Sequence, residues 1–167
     1  MITIIGAGPA GSYLAYLLAK QGKKVTILEE HNVVGSPIQC TGIVTHSIEK
    51  FFKLKNDIIA KRLDKVVVVS KNNRITVNVD EIVMWRDRFD RFVAEMAGGA
   101  GAKILLNHQF TGFDGRNAVI AKDKKNNKTK KIKTEIIVGA DGPYSTVAKS
   151  SGIYPNSKNY IGMQAKV

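Results

Sequence analysis

Ile2-Thr3-Ile4-Ile5-Gly6-Ala7-Gly8-Pro9-Ala10-Gly11 decides how this chain is read, because a short apolar run feeds directly into three glycines at the spacing G-x-G-x-x-G. A run of that length and composition fits a buried parallel strand. Gly6 then permits a tight strand-to-helix turn, and Gly8 lets the main chain approach a pyrophosphate with no side chain intervening. Gly11 lets the helix that follows pack closely on the strand. Pro9 and Ala10 open that helix. Free N–H groups and the positive dipole end of a helix N-terminus favour an anion, so such a site needs no cationic side chain. The ligand implied is a dinucleotide.

Working outward, Ala10, Leu14, Leu17 and Leu18 form one helical stripe, Gln21-Gly22 supplies a C-cap, and Lys20, Lys23 and Lys24 lie near the negative dipole end. Val25 to Leu28 reads as a second buried parallel strand, ending in Glu29. A carboxylate at that strand end is placed to accept a hydrogen bond from a ribose 2′-hydroxyl, whereas Glu29 and Glu30 together repel a 2′-phosphate. FAD or NAD fits this first unit; NADP does not.

At 167 residues the chain can bury a sizeable core but is short for a nucleotide domain plus a substrate domain. No apolar run approaches the length of a membrane span, so a soluble chain is expected. Met1 leads straight into the first strand with no basic leader, and the single cysteine excludes an intrachain disulfide. A cytoplasmic location, with peripheral membrane contact open, is the expectation. The net charge of +12 raises the question of a nucleic-acid partner. Seven lysines lie between Lys122 and Lys133, and with no aromatic residue among them to stack on bases they argue against one. They read as the solvated tip of a hairpin between Ala118–Ala121 and Lys130–Thr134. An anionic membrane surface or an acidic redox partner is the functional alternative.

The remaining segments place the other motifs. Asn32 to Gly42 is a loop rich in turn formers, followed by a helix expected over Thr45 to Phe52. Lys65–Ser70 and Arg74–Val79 read as an antiparallel hairpin. Asp87 to Gly98 is a helix carrying Phe89, Phe92, Val93 and Met96 inward, and Lys103 to Leu106 is a further buried strand. Glu135 to Gly139 is a strand, its apolar stretch Ile136 to Gly139 read as buried, which enters Ala140-Asp141-Gly142 before a helix over Thr146 to Ser151.

Gly6 to Gly11, Glu29, Arg86-Asp87-Arg88-Phe89-Asp90 and Gly139-Ala140-Asp141-Gly142 with Ser145 together resemble the FAD-dependent oxidoreductases of the p-hydroxybenzoate hydroxylase type. Within these, Gly35-Ser36-Pro37-Ile38-Gln39-Cys40-Thr41-Gly42 resembles the geranylgeranyl reductase family, which includes archaeal digeranylgeranylglycerophospholipid reductases. The resemblance implies an α/β, Rossmann-like FAD-binding domain with a parallel sheet plus antiparallel β-hairpins. It implies that Gly6, Gly8, Pro9, Ala10 and Gly11 lie at the FAD pyrophosphate, and that Glu29, with Glu30 beside it, meets the adenosine ribose. It further implies that Arg86 contacts the cofactor, that Asp141 and Gly142 organise its diphosphate and ribose region, and that Cys40, followed by Thr41, lies near the isoalloxazine. There Cys40 either shapes the flavin environment or is an inert small residue.

In that family reduced flavin delivers a hydride equivalent to a prenyl double bond while an acid supplies the proton. The resemblance therefore implies a prenyl lipid substrate and, as electron donor, NADPH or a small iron–sulfur protein. Two features depart from the pattern. Ala148-Lys149 stands where many hydroxylases have an arginine, which weakens a monooxygenase reading, and no Gly-Asp dipeptide exists to contact the ribityl arm. The expected organisation is an FAD-binding domain over 1–64 and 86–152 and a hairpin insertion over 65–85. Residues 153–167 would begin a truncated substrate domain, with a strand over Asn159 to Val167. A flavin monooxygenase, or a non-catalytic module needing a partner chain, are the alternatives.

Overall fold

The computed structural model describes residues 1–154 and 162. The chain divides into two compact units, Met1–Ser36 with Asp90–Val167, and Pro37–Phe89. In the first unit the quoted stretch forms strand β1 (Ile2–Ile5) and opens helix α1 (Pro9–Lys20), which returns to strand β2 (Val25–Leu28). β2 pairs parallel with β1, Ile2 opposite Val25 and Ile5 opposite Leu28. Two later strands, β6 (Lys103–Leu105) and β10 (Ile136–Gly139), extend the parallel sheet in the order β10-β1-β2-β6. Ile4, Ile5, Ile27 and Leu28 are buried, as near-continuous apolar strands covered on both faces should be.

Two expectations change here. α1 buries Gly11, Ser12, Ala15 and Ala19, leaving Ala10 and Leu17 exposed and Leu14 and Leu18 only flanking the core. A helix that begins against the strand it follows approaches too closely for a leucine stripe, so small residues occupy the contact. The strands expected to be buried over Ile136 to Gly139 and Lys103 to Leu106 are instead the two edges of the sheet, β10 and β6, with Ile136 54% and Leu106 37% exposed.

The same unit carries an antiparallel sheet, β7 (His108–Phe113), β8 (Ala118–Asp123) and β9 (Lys128–Lys133), in that order. Phe110, Val119 and Ala121 pack with Ile5, Leu28 and Val147 into a second core cluster. The lysine-rich hairpin is formed as expected, but not all of its lysines are merely solvated. Lys130 pairs with Asp123 at 3.0 Å, Lys131 with Asp114 at 2.5 Å, and Lys124 lies 3.7 Å from Glu30. Helix α3 (Thr146–Ser150) follows β10.

The second unit holds an antiparallel sheet of order β3-β5-β4, formed by β3 (Ile43–Thr45), β4 (Ile59–Val69) and β5 (Arg74–Met84). The hairpin strands run longer than the apolar stretches that announced them. At its far end Val67, Val68, Val69, Ile75 and Val77 are exposed. The helix expected over Thr45 to Phe52 is instead β3 ending at Thr45, followed by a single 3₁₀ segment, His46–Lys50. Phe52 closes the base of the unit by an edge-to-face contact with Phe89, at 5.3 Å between centroids. Helix α2 (Arg86–Gly99) starts in this unit and continues into the first, the division falling after Phe89. The strand expected over Asn159 to Val167 lies outside the described residues.

Candidate functional site

The three glycines of the loop have different physical reasons to be glycine. Gly6 has φ +101°, and a Cβ there would run into the carbonyl of Ala140. A Cβ on Gly11 would strike the carbonyl of Gly6. Packing alone therefore excludes side chains at both. Gly8 has φ −64° and ψ 175°, a conformation open to any residue, and a Cβ there would meet nothing within 4 Å. Among the described residues, none fills the space over Gly8.

That space adjoins the start of α1. Gly8 is the N-cap and offers no side chain, and Pro9 has no N–H. The N–H groups of Ala10 and Gly11 are left without a side-chain cap or an acceptor one turn back. Ser12, directly behind the last glycine, braces the loop: its buried hydroxyl donates to the Ala7 carbonyl at 2.9 Å, and its N–H donates to the Gly8 carbonyl at 2.9 Å. The loop thus presents main-chain donors with no acceptor among the described residues, the chemistry a pyrophosphate requires.

Glu29 is only 8% exposed at the end of β2, so its carboxylate needs partners. Oε2 accepts the Ala7 N–H at 2.9 Å. Oε1 accepts the His31 N–H at 3.0 Å and lies 2.7 Å from the His31 ring Nδ1. Strand-end acid and glycine loop are thus one bonded assembly. Glu30 turns elsewhere, accepting from Gln109 Nε2 at 2.9 Å.

Asp141 and Gly142 follow β10, and Ala140 is held against β1 by its N–H bond to the Ile5 carbonyl. The Asp141 carboxylate organises the next helix: Oδ1 accepts from Ser145 Oγ at 2.6 Å and Oδ2 from the Val147 N–H at 3.0 Å. Ser145 Oγ in turn accepts the Ala148 N–H at 2.9 Å as the N-cap of α3. Gly142, with φ +80°, supplies the turn between them.

Cys40, Thr41 and Arg86 belong to the second unit. Cys40 and Thr41 are exposed, and next to them Gly42 has φ +77° and no room for a Cβ, which would meet the Met84 carbonyl. The Met84 N–H donates to the Gly42 carbonyl at 2.9 Å, which brings the Cys40–Gly42 segment to the start of α2, where Arg86 stands. Two residues important to the site, Ser12 and His31, were not singled out by sequence. A polar residue on the small-residue face of α1 was the only signal for Ser12, and His31 gave none beyond its two-residue distance from Glu29.

Residues 1–165 match the family model described as FAD binding domain. The chain is 33% identical over 169 residues to the uncharacterized protein of the nifH2 5′ region in Methanosarcina barkeri, covering 91% of this chain and 87% of that protein. It is 29% identical over 162 residues to digeranylgeranylglycerophospholipid reductase 1 of Methanococcoides burtonii, covering 91% of this chain and 40% of the reductase. Among solved structures, a geranylgeranyl bacteriochlorophyll reductase-like protein from Thermoplasma acidophilum superposes with a TM-score of 0.78 at 26% identity, over 90% of this chain and 41% of that one. The chain thus spans about two fifths of the length of the reductases it matches. The family model runs along almost the whole length: the chain belongs to the FAD-binding domain family.

Proposed function

We propose that Gly6 to Gly11 hold the pyrophosphate of FAD, that Glu29 holds its adenosine ribose, and that the chain is the cofactor portion of a reductase acting on prenyl chains of membrane lipids. The observation that carries the binding site is the unfilled space over Gly8 at the uncapped start of α1. The likeness to the archaeal reductases supports the choice of reaction.

FAD held by these residues would supply the hydride chemistry for reducing an alkene, with a proton completing the addition at the second carbon. The chain's own work is to bind and orient. The N–H groups of Ala10 and Gly11 and the dipole of α1 offset the diphosphate charge. Ala7 holds one oxygen of Glu29 beside the loop. Arg86, Cys40, Thr41, Asp141 and Gly142 are assigned to the same cofactor, with Glu30 adding negative charge that disfavours a 2′-phosphate. NADPH or a small iron–sulfur protein is the proposed electron donor. Lys122, Lys125, Lys128 and Lys133, which have no carboxylate partner among the described residues, are the proposed contact to an anionic membrane or an acidic donor. If so, the rate of electron delivery falls as salt is added.

The test is a titration of the purified chain with FAD, followed by flavin absorbance and fluorescence. Gly8→Val leaves the fold intact, since its Cβ meets no protein atom, yet weakens FAD binding by about a hundredfold or more. An unchanged affinity in Gly8→Val overturns the assignment.

A further inference from the structure

We propose that His31 is a positioning residue for nucleotide recognition: by taking up one oxygen of Glu29, it leaves the other as the single acceptor for a ribose hydroxyl. The inference rests on the reading that Glu29 meets the adenosine ribose.

A carboxylate has about four acceptor positions, two on each oxygen. His31 fills both on Oε1, one from its main-chain N–H at 3.0 Å and one from its ring at 2.7 Å. Facing a carboxylate that can only accept, Nδ1 carries the ring proton. The Ala7 N–H fills one position on Oε2. One remains, on the oxygen tied to the glycine loop. Without the ring, the carboxylate could rotate and offer Oε1 to solvent instead, so the ring selects which oxygen meets the ligand.

His31 is itself held firmly enough to do this. Glu29 donates its N–H to the Leu105 carbonyl at 2.9 Å, the His108 N–H donates to the Glu29 carbonyl at 2.8 Å, and the Asn107 N–H donates to the His31 carbonyl at 3.0 Å. Asn107 has φ +59°, a left-handed position that asparagine tolerates, and so the turn between β6 and β7 grips the segment on both sides of Glu30. Gln109 draws the Glu30 side chain to itself, which keeps the second carboxylate from competing for the His31 ring. The imidazole is only a third exposed, and Nε2 has no partner among the described residues. Nδ1 is therefore the ring atom the fold uses.

The experiment compares FAD with its analogue lacking the adenosine 2′-hydroxyl, by fluorescence titration of wild type, His31→Leu and His31→Asn, with circular dichroism to confirm folding. Wild type should prefer FAD about tenfold, the value of one hydrogen bond to a charged acceptor. His31→Leu should bind both flavins equally, its affinity for the analogue staying within about twofold of wild type. His31→Asn places an amide N–H near the position of Nδ1 and should restore most of the preference. A preference retained in His31→Leu, or not restored in His31→Asn, overturns the role of His31 while leaving the Glu29 reading intact. A wild type that does not distinguish the two flavins overturns both.

Discussion

Thr3 stands in the middle of β1 with no exposed surface, and its hydroxyl has no hydrogen-bond partner among the described residues. A buried hydroxyl in that state costs its desolvation with no bond in return. Thr3→Val keeps the shape and removes the cost, so it should stabilise the protein by about 1 kcal/mol. Thermal denaturation should report a midpoint about 2–4 °C higher. At this scale the sequence was partly readable. The spacing of Gly6, Gly8 and Gly11 pointed to three glycine requirements; the structure shows steric exclusion at Gly6 and Gly11, while at Gly8 a Cβ would meet no described atom within 4 Å. The bond from Ala7 to Glu29 was not readable, because it joins residues 22 positions apart through geometry that only the folded β1–α1–β2 unit creates.

Among elements, the β8–β9 hairpin shows how a basic segment stays folded. Asp123 is buried at the end of β8 and accepts from the Asn126 side chain at 3.0 Å, the Lys130 ammonium at 3.0 Å and the Lys125 and Asn126 N–H groups. The Asn126 side chain, followed by Lys130, holds its carboxyl well below the usual carboxylate range. A group whose folded value is depressed contributes stability above its unfolded value, near pH 4, and loses that contribution as pH falls below it. Denaturant midpoints measured from pH 6 downward should therefore fall more steeply for wild type than for Asp123→Asn, which should be the less stable of the two at neutral pH. The hairpin itself was legible from two alternating runs around an asparagine-containing turn. β7 was not, because its sequence mixes polar and apolar residues and a register shift between Phe110 and Gly112 interrupts the alternation. The stretch after Gly42 suggests a helix from Thr45 because a threonine there resembles a helix start, but pairing with β5 claims that residue for a strand.

For the whole molecule, the charge of +12 keeps copies apart, but it is unevenly spread along the sheet edges. β9 ends its sheet with Lys128, Lys130, Lys131 and Lys133. β4 ends its own with Val66 to Val69, of which the last three are exposed. Lysine on an edge is a known deterrent to strand pairing between molecules, and a bare apolar edge invites it. Val68→Lys should accordingly reduce light scattering at high protein concentration by severalfold without lowering the melting midpoint, whereas a scattering curve identical to wild type would exonerate the valines. The two sheets reached a similar architecture with opposite manners toward neighbours: one border is armoured, the other adhesive. Crowding would then not clump these molecules at random but zip them along the adhesive border, a directional fate written into four consecutive residues.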